Sequence, residues 1–161
     1  MPYYMYVTAS EDDKIVTFEM DPESGKLNHL RDVAISGRPA PLAINPDRSV
    51  LHVGRRGTPE ISSYAIDQST ADLSFLSTAP LETDPCYLST DRKGKFLLSS
   101  YYEGARAAIF PIGGDGSVRN SPAQVVHTAT GAHCIQSDPS NRFVFVPHIS
   151  GRGPNLIRQF K

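Results

Sequence analysis

Reactive side chains are few in this 161-residue chain, and their types narrow the chemistry it can do. The five histidines, His29, His52, His127, His133 and His148, are scattered. None forms an H-x-x-x-H pair, which excludes a helical zinc motif. Cys86 and Cys134 lie far apart and match no metal spacing, so no disulfide framework is expected and two free thiols suit a reducing cytosol. Other positions are better placed for chemistry. His133 follows Gly131-Ala132 and carries an imidazole whose ordinary pKa of ~6.5 suits a general acid or base. Arg55 and Arg56 are adjacent, and either guanidinium can hold a phosphate or carboxylate through two parallel hydrogen bonds. Tyr101 can donate to a carbonyl oxygen that is gaining charge. His148 is a further candidate ligand contact.

The same residues have plainer uses. His133 can tie down a neighbouring loop, Arg55 and Arg56 can be solvated loop charges, and Tyr101 and Tyr102 can pack between sheets. Cys86 has no base beside it in sequence and reads as a small buried residue. His29 and His52 fall in or beside outer strands with no specific role, and Glu11-Asp12-Asp13 reads as a solvated acidic loop.

The elements that must position these groups are set by a repeat. Val50-Leu51-His52-Val53, Phe96-Leu97-Leu98-Ser99 and Phe143-Val144-Phe145-Val146 start 46 and 47 residues apart, and Tyr4-Met5-Tyr6-Val7 lies 46 before the first. A second run ends on Phe18, Tyr64 and Phe110, again 46 apart, and Phe160 closes a fourth copy 50 residues on. That longer step places an insertion in Ser150-Gly151-Arg152-Gly153. A third run begins at Leu27, Leu73 and Val118, and a fourth is centred on Leu42, Leu88 and Ile135. Turn chemistry separates them, as in Gly113-Gly114-Asp115-Gly116 and Asn45-Pro46-Asp47. No segment sustains a 3.6-residue period, so no helix is expected.

Four short strands per ~46 residues is the period of a β-propeller blade, and a β-sandwich would not repeat four strand types in register. The expected fold is therefore all-β, with repeats over roughly 1–37, 38–83, 84–130 and 131–161. Fourteen strands, about three and a half blades, predict an N-terminal piece that makes about half of a seven-bladed ring. The expected partner is then the remaining half of the propeller, or a second copy of the chain through self-association at the open blade faces.

Composition agrees. Gly 12 and Pro 13 suit a turn-rich chain, and the net charge of −1 argues against a nucleic-acid or membrane surface. No apolar run approaches the ~20 residues of a spanning helix, and Met1-Pro2-Tyr3-Tyr4 lacks a secretory n-region, so a cytoplasmic protein is expected.

Strand direction sorts the loops by face. The loops before each first strand, with Arg38, Asp84, Cys86 and His133, share an upper face with those between second and third strands, which carry Arg55, Arg56, Glu60, Tyr101, Tyr102, Glu103, His148 and Arg152. Propeller sites form where such loops converge at the channel mouth.

Five motifs occur in order on this frame: Tyr6-Val7-Thr8-Ala9, Val53-Gly54-Arg55-Arg56, Ser100-Tyr101-Tyr102-Glu103-Gly104, Gly131-Ala132-His133 and Phe143-Val144-Phe145-Val146-Pro147. Together they resemble the cytosolic seven-bladed propeller lactonases, the family of propeller-type 6-phosphogluconolactonases and fungal carboxy-muconate cyclases. The resemblance covers the whole chain but the first half of the family's length. It implies a small-molecule lactone substrate, no metal and no organic cofactor, with His133 matching the histidine suspected in the family's site and Arg56 a recurrent arginine at the channel mouth. It implies hydrolysis of a sugar lactone, foremost 6-phosphogluconolactone. A lactonising cyclase or a non-catalytic binding propeller are the alternatives, although the absence of Trp counts against the Trp-Asp type of binding propeller. The loop from His148 to Asn155 is longer than the family's usual Asp-rich loop and leaves the branch open.

Overall fold

A computed structural model describes residues 3–149 and 153–161; Arg152 and most of the expected insertion lie outside the described residues. Four antiparallel sheets follow one another along the chain. The first holds β1 (Tyr3–Ala9), β2 (Lys14–Met20) and β3 (Leu27–Ala34). The second holds β4 (Pro39–Ile44), β5 (Val50–Arg55), β6 (Glu60–Ile66) and β7 (Leu73–Pro80). The third holds β8 (Tyr87–Thr90), β9 (Phe96–Tyr101), β10 (Arg106–Pro111) and β11 (Gln124–His127). The fourth holds β12 (Gln136–Ser137), β13 (Val144–His148) and β14 (Leu156–Phe160). Within each sheet neighbours in sequence are neighbours in space, so every sheet is a meander, the construction of a propeller blade. The described residues contain no helix, and hence none long and apolar enough to cross a membrane.

The repeat extends below the level of strands. The pairing of β2 with β3 slips between Thr17 and Phe18, and that of β6 with β7 slips 46 residues later, between Ser63 and Tyr64. Each bulge sets an aromatic edge-on to a ring of the outer strand, Phe18 to His29 at 5.9 Å and Tyr64 to Phe75 at 5.7 Å.

The core lies between blades. Ile15, Leu51, Val53 and Tyr64 fill the first gap, Ile61, Leu88, Leu97, Tyr101 and Phe110 the second, and Leu98, Ala107, Ile135 and Val146 the third. Strand β9 shows why: successive residues point to opposite faces, so Leu97 goes to one gap and Leu98 to the next. Strands β4, β8 and β12 lie against one another across the gaps, as innermost strands do.

The third blade departs from the expected pattern at its outer edge. Val118 makes an isolated bridge with Ile112, and the strand β11 begins only at Gln124. The intervening Asn120-Ser121-Pro122 loops out, because Pro122 has no N–H to give to the ladder, and pairing resumes where the Ala123 amide donates to the Ile109 carbonyl at 2.8 Å.

Candidate functional site at the upper face

A cleft of about 270 Å³ opens on the upper face, lined by Arg56, Asp84, Cys86, Tyr102, Glu103 and His133. These residues come from three consecutive blades and from the two loop types expected to share that face. Arg56 sits in the β5–β6 turn, Tyr102 and Glu103 in the β9–β10 turn, and Asp84, Cys86 and His133 in the segments entering β8 and β12.

Close backbone packing builds the Arg56 corner. A Cβ on Gly54 would stand 2.7 Å from both Pro41 and Pro85, so only glycine lets the next blade's inner loop approach this strand. That approach brings the Pro85 and Cys86 carbonyls to Arg56, whose Nε donates to Pro85 at 3.0 Å and Nη2 to Cys86 at 3.3 Å. The side edge of the guanidinium is therefore held by backbone.

The His133 corner also depends on a glycine. Gly131 has φ +94°, and a Cβ there would lie 2.5 Å from the Ile149 carbonyl oxygen. Its amide donates to the Tyr102 carbonyl at 3.0 Å, tying this loop to the previous blade. The His133 amide donates to Pro147 at 3.0 Å, which leaves the exposed imidazole at the cleft, edge-on to the Tyr102 ring at 6.1 Å.

Cys86 lines the cleft instead of filling a core. Its thiol lies 3.8 Å from the His133 carbonyl oxygen, and burial pushes its pKa up despite the opposing field of Arg56. It stays a thiol at neutral pH, which is unsuited to nucleophilic attack.

Three of the expected site residues do not reach the cleft. Tyr101 shares the face of Leu97 on β9, so the period of two sends its ring into the second inter-blade core, where it is 2% exposed and burial raises its hydroxyl to about 12. Arg55 is the last residue of β5 and pairs in register with Glu60, with which it forms an ion pair; its Nη1 donates to the Ser36 carbonyl at 3.1 Å. His148, on β13, is buried beneath the His133 loop, where its Nε2 accepts from the Ala129 amide at 3.2 Å. That bond assigns the ring proton to Nδ1. Conversely, Tyr102, Asp84 and Glu103 were placed on the upper face by strand order, but residue type alone gave them no role. Among the described residues, no three His, Cys, Asp or Glu side chains gather in a metal-binding group.

Comparison with known proteins bears on the family of the chain. Residues 4–154 match the family described as "Lactonase, 7-bladed beta-propeller". The chain belongs to that family. It is 36% identical over 147 residues to a 6-phosphogluconolactonase of Serratia proteamaculans, a match covering 91% of this chain and 44% of the relative. The chain thus spans less than half the length of the curated relatives it matches. Among solved structures, a putative 6-phosphogluconolactonase from Bacteroides uniformis superposes with a TM-score of 0.81 at 25% identity, over 92% of this chain and 48% of that one. The periplasmic gluconolactonase of Pseudomonas aeruginosa superposes with a TM-score of 0.75 at 25% identity, over 91% and 47%. A family of seven-bladed propellers accounts for the four successive sheets, and the meander order within each is the family's blade.

Proposed function

We propose that this chain carries part of the active site of a sugar lactonase, foremost one that converts 6-phosphogluconolactone to 6-phosphogluconate. The observation that carries this reading is the shared cleft of Arg56 and His133, which sets an imidazole and a guanidinium on loops of different blades beside one opening. The 6-phosphogluconolactonase relatives support it.

The chemistry follows from these groups. Water adds to the lactone carbonyl while His133 accepts its proton as general base. The carbonyl oxygen becomes an oxyanion, and a donor already fixed in place stabilises it at no reorganisation cost. The tetrahedral intermediate collapses by breaking the bond to the ring oxygen, which takes the proton back from His133 and leaves as the hydroxyl of the open acid. Arg56, held by two carbonyls, binds an anionic oxygen of substrate or intermediate. Tyr102 stands edge-on to the imidazole and limits its rotation.

The reading extends to setting and partner. A cytoplasmic location is supported by the two free thiols, Cys86 and Cys134. Tyr3, Met5 and Val7 alternate as exposed residues along the edge strand β1, a flank suited to cover by further blades of the same ring.

The experiment is an assay of acid production from 6-phosphoglucono-δ-lactone above the spontaneous rate, on the protein at its natural length, with Arg56→Gln and His133→Ala beside it. A saturable rate that falls in both variants supports the reading, and a rate equal to the spontaneous one refutes it.

A further inference from the structure

His148 is the last residue of β13, and the repeat shows what the fold asks of that place. In every blade the residue there stands opposite the one that opens the next strand: Ala9 opposite Lys14, Arg55 opposite Glu60, Tyr101 opposite Arg106 and His148 opposite Leu156. A methyl group, a guanidinium and a phenol ring serve equally well in the other three blades, so blade geometry does not call for an imidazole. Yet His148 is buried, and a polar ring taken out of water costs free energy unless it is hydrogen-bonded. The bond it makes is to the Ala129 amide, from which Nε2 accepts at 3.2 Å.

Ala129 lies in the segment that crosses from β11 of the third blade to β12 of the fourth and carries His133. Backbone bonds hold this crossing at several points. The Thr128 amide donates to the Ala105 carbonyl at 2.8 Å, and the Gly131 amide donates to Tyr102 at 3.0 Å. The His133 amide donates to Pro147 and the Ile149 amide to Gly131, both at 3.0 Å, and Ala132 forms an isolated bridge with His148. Bonds of this kind form whatever the side chains are. The bond at Ala129 is different, because it needs an acceptor on one side chain, that of residue 148. Without it the Ala129 N–H must turn toward another partner. That turn pulls on Gly131, whose φ of +94° sets the direction in which the chain enters Ala132-His133.

We infer that His148 is a positioning residue: its Nε2 bond to the Ala129 amide fixes the crossing segment and thereby the seat of the His133 imidazole against Tyr102. It does so from beneath the cleft, as a buried side chain that is not part of the cleft lining. The role asks only for an acceptor at the place of Nε2, which a side-chain amide also supplies. The effect on rate rests on the lactonase reading, whereas the effect on His133 does not.

The test uses the natural-length protein with His148→Gln and His148→Leu, each first shown to melt cooperatively; His148→Phe takes the place of the Leu variant if that one does not. Gln keeps an acceptor, and Leu and Phe have none. In the Leu variant kcat for 6-phosphoglucono-δ-lactone is expected to fall by about tenfold or more while KM stays within about twofold, because a displaced base loses turnover rather than binding. The Ala129 amide is expected to exchange with deuterium about tenfold faster, the size of one lost hydrogen bond. The nuclear Overhauser contact between the Tyr102 and His133 rings is expected to weaken. The Gln variant is expected to keep all three properties of its parent. A Leu variant with its parent's kcat overturns the inference. So does an equal loss in both variants, which would assign the effect to the imidazole itself, and so does a loss that falls on KM. If the natural-length protein hydrolyses no lactone, the lactonase reading fails, and amide exchange and the ring contact decide the inference by themselves. Both altered in the Leu variant and kept in the Gln variant supports it, and any other result overturns it.

Discussion

Tyr102 meets His133 edge-on across the boundary between two blades, with ring centroids 6.1 Å apart and planes at 84°. The backbone reinforces this pairing, since the Gly131 amide donates to the Tyr102 carbonyl at 3.0 Å. Two loops distant in sequence are thereby locked together, and the imidazole gains a fixed wall on one side. For a side chain that is otherwise exposed, that wall restricts rotation and favours a productive orientation.

His133→Ala should therefore reduce turnover of the lactone by about 10²–10⁴, the usual contribution of a general acid or base, with a smaller effect on KM. Steady-state kinetics on a variant of unchanged melting temperature check this. Unchanged kcat would remove His133 from the chemistry.

On the proposed mechanism Tyr102 positions the His133 imidazole through its ring, so the ring should matter more than the hydroxyl. Tyr102→Phe should retain most of the turnover, whereas Tyr102→Ala should lower kcat by about tenfold through loss of imidazole orientation. The pH profile of kcat provides the second readout. It should keep its shape in the Phe variant, and an equal loss in both variants would assign the effect to the hydroxyl.

Gly131→Ala should destabilise the protein and disable the site together. The backbone there has φ +94°, and the added methyl would meet the Ile149 carbonyl oxygen at 2.5 Å. A cost of about 1–3 kcal/mol is expected, with the His133 loop displaced. Thermal melts and the lactone assay would show both effects, and a fully active, equally stable variant would rule out this description of the turn.

His52 makes stability depend on pH. It is 0% exposed, its Nδ1 lies 2.9 Å from Ser63 Oγ, its Nε2 has no partner, and burial lowers its pKa from 6.5 to about 4. The unfolded chain therefore binds a proton that the folded chain refuses between those values, and stability falls as pH drops from 6.5 toward about 4. The loss approaches about 3 kcal/mol at the low end. Urea titrations across this range should show it, and His52→Gln should flatten the slope. An identical slope in that variant would place the pH dependence elsewhere.

Much of this was legible in the sequence because the repeat is regular. The spacing of Phe18, Tyr64 and Phe110 located the third-position strands, and strand direction then put Arg56, Cys86, Tyr102 and His133 on one face. What failed was the choice between neighbours. Arg55 and Arg56 look equivalent as residue types, but Arg55 closes the ladder opposite Glu60 while Arg56 starts the turn. Tyr101 and Tyr102 differ in the same way, since Tyr101 continues the Leu97–Ser99 face into the core. One residue of uncertainty in where a strand ends exchanges a buried side chain for a cleft-lining one. The late start of β11 had a local cause, because Pro122 interrupts a ladder that periodicity alone would continue.

The most direct test of the central claim, that the cleft shared by Arg56 and His133 performs lactone hydrolysis, is the initial rate of 6-phosphogluconate formation from 6-phosphoglucono-δ-lactone, corrected for spontaneous opening. It is measured on the natural-length protein and on its His133→Ala variant. The predicted result is a saturable rate in the first and a rate lower by about 10²–10⁴ in the second. A well-folded protein with no rate above the spontaneous reaction, or a His133→Ala variant as fast as its parent, would contradict the claim.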